Sequence, residues 1–372
     1  MPVSADSILE YSVVYTERSL NHMSKDFQQV MRELSCCFRE VYHADSLAIV
    51  PGGGTFGMEA IARQFATQKK CVVIRNGWFS YRWTQIFEAC SLPSQEIVLK
   101  ARPVNNTTQS PFVPPPIEEV LQVIRQEKPD VVFAAHVETS AGLLLPDSYI
   151  QQITEAVHSY GGMFVLDCIA SGALWVNMEE LAVDVLLTAP QKGWSSTPCA
   201  AIVLMRKHAE ERLLHTQSSS FACDLRRWRD IMRIYEEGGH AYHATMPTDG
   251  LRQLRDAIVE AKAFGWEQLK QAQKKLGDGI RDILVAHGYT SVADSSYASP
   301  SVVVCYTTNP QMHNGQAFLA QGMQIAAGVP LACDEKQPFS TFRIGLFGFD
   351  KLYHREETVQ NFEKVLQILS KQ

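Results

Sequence analysis

The chain has no run approaching roughly eighteen apolar residues, so it offers no candidate transmembrane helix. It has no CxxC pair, and its nine cysteines are scattered and odd in number. That pattern excludes a CxxC zinc site, argues against a disulfide framework, and predicts reduced thiols in a cytoplasmic protein. Cationic charge is not in excess: 34 Lys and Arg stand against 40 Asp and Glu, for a net charge of −6. Nothing there calls for nucleic acid or an anionic membrane as a partner. Asp6 and Glu10 occupy the region where a signal peptide would be basic and then apolar. There is no internal repeat and no low-complexity tract; Pro111–Pro116 (PFVPPP) is a short stiff connector. The P-loop ending GK[ST] is absent, as is a full GxGxxG.

What is present is a large apolar fraction, 46% of 372 residues, enough for a sizeable core and more than one ordinary domain. Short apolar runs bounded by Gly or Pro predict buried parallel strands at Leu47–Val50, Cys71–Ile74, Asp130–Ala135, Met163–Leu166 and Val183–Leu187. Helical apolar spacing predicts helices over Lys25–Tyr42, Phe56–Ala66, Ile117–Gln126 and Ile150–Tyr160. Beyond residue 249 the pattern changes. One long helical stretch, Gly250–His287, precedes strand-like Ser301–Tyr306 and Ser340–Phe347, with a helix expected around Gln316–Ala327 and another over Glu357–Ser370. Alternating strands and helices imply an α/β fold, whose ligand crevice lies outside the carboxyl ends of the strands.

Each of those strand ends carries a chemically suggestive group. Gly52, Gly53, Gly54 and Thr55 stand between a strand and a helix, where free N–H groups and the helix dipole attract an anion. A glycine triplet by itself is equally a simple turn. An aromatic loop, with Trp78, Phe79, Tyr81 and Trp83, follows the second strand and offers a ring to stack on a flat ligand, with Arg75 and Arg82 as nearby cations. The segment HVETS at His136–Ser140 follows the third strand. Asp167 and Lys192 follow the next two. A desolvated lysine forms Schiff bases, and an aspartate beside a pyridine nitrogen makes pyridoxal phosphate an electron sink.

Taken in order, these segments resemble the class V aminotransferases among the fold-type I pyridoxal phosphate enzymes, especially alanine–glyoxylate or serine–pyruvate aminotransferases and 2-aminoethylphosphonate–pyruvate transaminases. GGGTF (Gly52–Phe56) resembles a GSGTF phosphate loop, and NGWFS puts Phe79 in the stacking slot of an NGxWG turn. ETSAG sets Thr139 or Ser140 near the phenolic oxygen of the cofactor. DCIAS gives Asp167 to the ring nitrogen and Ile169 to the ring face, and PQK gives Gln191 to the phosphate and Lys192 to the Schiff base. YHATMP resembles YHHTxP, whose Tyr and Thr, here Tyr242 and Thr245, reach a phosphate across a dimer interface. FRIGLFG resembles RIGLLG and points to Arg343 as the ligand of a substrate carboxylate.

The resemblance implies a three-layer α/β/α large domain with a mostly parallel sheet at residues 23–249. A smaller α+β domain at 250–372 and an N-terminal arm at 1–22 complete the chain. It also implies pyridoxal 5'-phosphate, a homodimer with shared sites, and transfer from an alanine- or serine-type amino acid to pyruvate or glyoxylate. An aminophosphonate or other ω-amine donor is the alternative, and a lyase or desulfurase a lesser one. The arm departs from the family: NHMS replaces HRS, which leaves Tyr15, Arg18 and His22 as candidates for an unusual substrate pocket.

Overall fold

The computed structural model describes residues 9–370, so the first eight residues of the expected arm lie outside the described residues. The central sheet has seven strands: β1 (Ser46–Pro51), β2 (Lys70–Arg75), β3 (Gln95–Lys100), β4 (Val131–Ala135), β5 (Met163–Asp167), β6 (Val185–Thr188) and β7 (Ala200–Met205). Their spatial order is β1-β7-β6-β5-β4-β2-β3. Only β7 runs against its neighbours; the other six point the same way. Every residue of β4, β5, β6 and β7 is buried. Alternate residues of a strand face opposite sides, so helices must cover both faces, and the unbroken Val/Ile/Leu runs of the sequence are the signature of that burial.

Helix starts follow their caps. Ser24 accepts from the Phe27 N–H at 3.1 Å and opens the helix Lys25–Tyr42, with Asp26 in its first turn. Asp224 does the same for Leu225–Glu236.

Several expected elements change on folding. The aromatic loop is the first turn of a helix, Trp78–Cys90, because its N–H groups find a buried acceptor described below. The expected strand at Val183 begins at Val185, after Ala182 takes a left-handed turn at φ 52°. The single helix Gly250–His287 is two, Thr248–Phe264 and Trp266–Ala286, broken at Gly265 with φ 106°. The helix around Gln316–Ala327 stops at Leu319; Ala326–Ala327 is an edge strand instead. Two strands escaped the apolar-run rule. β3 is only half-buried, and β7 follows the long turn that carries Lys192.

A second sheet holds β8 (Val302–Tyr306), β9 (Ala326–Ala327) and β10 (Thr341–Gly345), antiparallel in the order β8-β10-β9. The helices Trp266–Ala286 and Arg355–Leu369 pack beside it. An apolar cluster joins Val137, Ala141 and Ala170, from the loops after β4 and β5, to Val302 and Val304 of the small sheet. That cluster fixes β10, and with it Arg343, against the carboxyl edge of the large sheet. No helix is long and apolar enough to cross a membrane among the described residues.

Candidate active site

The site is assembled from the loops that leave five parallel strands. After β1, Gly52 adopts φ 121°, a conformation that favours glycine, and Gly53 caps the helix Gly54–Phe65. That helix end has no side-chain cap and no acidic residue in its first turn. Its leading N–H groups and positive dipole are therefore left for an anion. A Cβ on Gly54 would collide with Cδ1 of Ile169, so glycine lets the helix end approach the loop after β5. Arg82 donates to the Thr55 hydroxyl at 3.1 Å and adds a cation at the same place.

After β2, the turn Asn76–Gly77 leads into Phe79. A Cβ at Gly77 would strike Ser140 Oγ and the Glu138 side chain, which explains the glycine. Glu138 is fully buried and organises both loops. Its carboxylate accepts the backbone N–H groups of Phe79 (3.2 Å), Ser80 (2.8 Å) and Ser140 (3.0 Å), and the hydroxyls of Ser80 and Ser140 (2.7 Å each). It is thus the acceptor for the first N–H groups of the Trp78–Cys90 helix, beside Ser80 Oγ, which accepts the Gly77 N–H at 3.1 Å. The Ser140 hydroxyl accepts from the Trp78 N–H at 2.9 Å and donates to Glu138, so its one proton is already committed within the protein. Thr139 differs: its Oγ1 is buried and has no partner among the described residues.

Asp167 closes β5. Burial raises its carboxyl pKa to about 6, although the Ile169 N–H donates to Oδ1 at 2.8 Å and Lys192 lies near enough to oppose the shift. Lys192 sits in the turn after β6. Burial lowers its ammonium pKa, the nearby Asp167 resists that, and Arg343 reinforces it. The turn is held tightly. A Cβ on Gly193 would collide with the Gly172 carbonyl, and Trp194, 1% exposed, donates to Thr188 Oγ1 at 3.2 Å. Ser195 Oγ accepts from the Phe349 N–H at 3.1 Å, which ties this turn to the segment after β10.

Phe79 is the hub of the cations. Lys192 Nζ lies 5.6 Å from its ring centre, and Arg82 Cζ and Arg343 Cζ each lie 5.5 Å from it. Arg343 donates Nε–H to the Ala327 carbonyl at 2.7 Å, and its terminal nitrogens have no hydrogen-bond partner among the described residues. Its burial lowers the guanidinium pKa, while Glu138 opposes that.

These loops enclose a cavity of about 100 Å³. Gly54, Thr55, Phe79, Thr139, Asp167, Ile169, Gln191 and Lys192 line it, all of them anticipated from the sequence. Gly53 adjoins it as the helix cap. Met58, Arg82, Val137 and Ala170 also line it. Met58 is one helical turn beyond Thr55, and the i+3 spacing from a predicted anion loop was the available signal. Glu138 was missed as an organiser because nothing local distinguishes a buried capping carboxylate from a solvated one.

Ser140 and Arg343, described above, are not in the cavity lining, and five further anticipated residues do not reach the cavity within one chain. Tyr242 is half-exposed and its hydroxyl pairs with Thr245 Oγ1 at 3.1 Å. His22 is buried beside it, with ring centres 5.5 Å apart, and Tyr15 lies 5.5 Å on the other side. Tyr15 donates to the Met246 carbonyl at 3.1 Å, and Arg18 is exposed on the arm.

Comparison with known proteins supplies the family. A soluble hydrogenase small subunit from Synechococcus sp. (strain PCC 6716) is 25% identical over 334 residues, 89% of this chain and 82% of that protein. Alanine–glyoxylate aminotransferase 1 of Saccharomyces cerevisiae is 27% identical over 331 residues, 84% of this chain and 82% of that one. The crystal structure of an alanine–glyoxylate aminotransferase from Nostoc sp. shares the fold at a TM-score of 0.77, with 21% identity over 94% of this chain and 89% of that one. The family described as aminotransferase class-V matches residues 4–362, and the chain therefore belongs to the class V aminotransferases, which use pyridoxal phosphate.

Proposed function

We propose that this aminotransferase moves the amino group of an alanine- or serine-type amino acid to a small 2-oxo acid such as pyruvate or glyoxylate. The observation that carries the reading is Arg343. It stands beside the same ring as Lys192, with one N–H committed to Ala327 and its terminal nitrogens unengaged. A planar guanidinium in that state suits a carboxylate, which it binds with two parallel hydrogen bonds.

The residues present suit pyridoxal phosphate. The uncapped helix end at Gly53, Gly54 and Thr55, with Gln191, would hold the phosphate. Phe79 and Ile169 would take the ring faces, and the unpartnered Thr139 hydroxyl would serve the phenolic oxygen, with Ser140 setting the loop behind it. When bound, the cofactor supplies an electrophilic aldehyde and an electron-accepting ring. Asp167 holds a proton at the ring nitrogen. Lys192 Nζ, its ammonium destabilised by burial, serves as nucleophile and then carries the proton removed from the substrate's Cα.

Tyr242 and Thr245 would complete the phosphate site of a neighbouring copy in a homodimer. Tyr15, Arg18 and His22 would border the substrate entrance there, since His22 and Tyr242 form one aromatic patch. We assign residues 23–249 and 250–372 to two domains joined at the start of the helix Thr248–Phe264, and the protein to the cytoplasm, in keeping with nine free cysteines. The GGGTF loop leaves a 2-aminoethylphosphonate donor as the second reading.

Arg343→Ala tests the substrate class. It should raise KM for carboxylate substrates by about 10²-fold or more, the cost of an unpaired charged contact, while cofactor affinity stays within about threefold. Equal losses in both would contradict it.

A further inference from the structure

At the opposite edge of the sheet from the cavity, three metal-ligating side chains meet. Asp184 directly precedes β6, the strand whose far end leads to Lys192. His158 is the last residue of the helix Asp147–His158, and His208 lies in the first turn of the helix Lys207–Leu214 that follows β7. His158 Nε2 is 2.8 Å from Asp184 Oδ2 and His208 Nδ1 is 2.9 Å from Oδ1, and one ligand atom from each residue lies within 4.8 Å of both others. This is the only such His/Cys/Asp/Glu group among the described residues. We propose that His158, Asp184 and His208 bind one late first-row divalent cation of the zinc class, clamping the amino ends of β5 and β6 to two helices.

The donor set suits that class of ion. Two imidazoles and one carboxylate favour zinc and its neighbours over calcium or magnesium, which prefer all-oxygen sites. Two ligands about 2.1 Å from an ion, at angles of roughly 90–109°, lie about 3.0–3.4 Å apart. The two His–Asp separations, 2.8 and 2.9 Å, are close to that spacing, and the two part-exposed rings, whose ligand atoms lie within 4.8 Å of one another, would turn toward the ion. Exposure is graded in the right sense. The Asp184 side chain is 3% exposed, while His158 and His208 are 32% and 39% exposed, so an ion can enter from solvent and water can complete its shell.

The carboxylate is already oriented. The Phe164 N–H donates to Oδ2 at 2.7 Å and the Arg206 N–H to the Asp184 carbonyl at 2.9 Å, which is the kind of outer support metal ligands receive. The remaining ring nitrogens, His158 Nδ1 and His208 Nε2, have no protein partner among the described residues. The nearby cation, Arg212, is engaged with the carbonyl oxygens of Asp130 and Gly161. Binding replaces the two imidazole–carboxylate hydrogen bonds by metal–ligand bonds, and each ligating nitrogen gives up its proton, to the other nitrogen of its own ring when the imidazole is neutral and to solvent when it is an imidazolium. No electron is transferred.

The test is calorimetric titration of zinc chloride into the chelator-stripped, cofactor-loaded enzyme. Wild type is compared with His208→Ala and His208→Gln, both at a part-exposed position that leaves the His158–Asp184 pair in place. The expected result is one more zinc per chain in wild type than in either variant, at least about tenfold tighter than any zinc the variants retain. A zinc-dependent rise in Tm should be seen in wild type alone, and kcat/KM should be the same in all three proteins. Identical stoichiometry and affinity in the three, or no stoichiometric zinc in wild type, would overturn the proposal and leave a His–Asp–His hydrogen-bonded staple. Because both variants keep Lys192, Asp167 and Arg343, failure here does not bear on the transferase reading.

Discussion

Ser80 gives both its backbone N–H and its hydroxyl to one oxygen of Glu138, at 2.8 and 2.7 Å, in a fully buried contact between the loops that carry Phe79 and Thr139. Removing the carboxylate strands three N–H groups, the buried ones of Ser80 and Ser140 and the part-buried one of Phe79. Each such group costs about 1–3 kcal/mol when left without an acceptor. Glu138→Ala should therefore lose more than about 3 kcal/mol in urea denaturation and weaken cofactor binding as well. A loss below about 1 kcal/mol would mean that Glu138 does not organise the loops.

Asp167 gives a pH dependence with a definite sign. Its folded pKa is raised from 3.8 to about 6 by burial, so the folded chain holds its proton more tightly than the unfolded chain does. The native state then binds more protons between those values, and stability is lost as pH rises through that window. In cofactor-free protein, Asp167→Asn should be more stable than wild type by about 3 kcal/mol at pH 8, from about two pK units at 1.36 kcal/mol each. That advantage should shrink between pH 6 and pH 4. The measurement is denaturant unfolding of both proteins across that range. A pH-independent difference would rule out titration of Asp167 as the source.

Thr139 carries a buried hydroxyl with no partner. Thr139→Val keeps the shape and removes the unsatisfied group, so the cofactor-free protein should be unchanged or slightly stabilised. Cofactor affinity should fall by about five- to tenfold, the worth of one hydrogen bond. Fluorescence titration with pyridoxal phosphate, beside thermal unfolding, separates the two effects. Undiminished affinity would release Thr139 from the role proposed for it.

The parts of the site that sequence revealed are those whose chemistry is local. Gly52–Thr55, Asp167 and Lys192 each follow a strand end, and in a parallel sheet all strand ends face one crevice, so finding the strands also located the groups. Arg343 was reached through its segment alone; its distance from Phe79 depends on how the small sheet docks through Val302 and Val304. Glu138 was opaque for a similar reason, since its donors in the Trp78–Cys90 helix lie 58 and 59 residues earlier in the chain. Helix ends at Gly265 and Leu319 were misread because apolar periodicity continues across a break that backbone conformation imposes. Tyr242 and Thr245 stand apart from the cavity within this chain, and only the resemblance of YHATMP, not spacing or charge, pointed to a second copy.

If Lys192 drives transfer of an amino group to the bound cofactor, a single half-reaction reports it without a second substrate. Cofactor-loaded enzyme is mixed with L-alanine or L-serine without any oxo acid, and the absorption spectrum and released product are followed together. Stoichiometric conversion to the aminated cofactor, with one 2-oxo acid per site, is predicted for wild type. In Lys192→Ala the rate should fall by about 10²–10⁴-fold, the usual worth of a general acid–base group. Release of ammonia with the original spectrum restored would contradict transamination, and an undiminished rate without Lys192 would contradict its role as the general acid–base group.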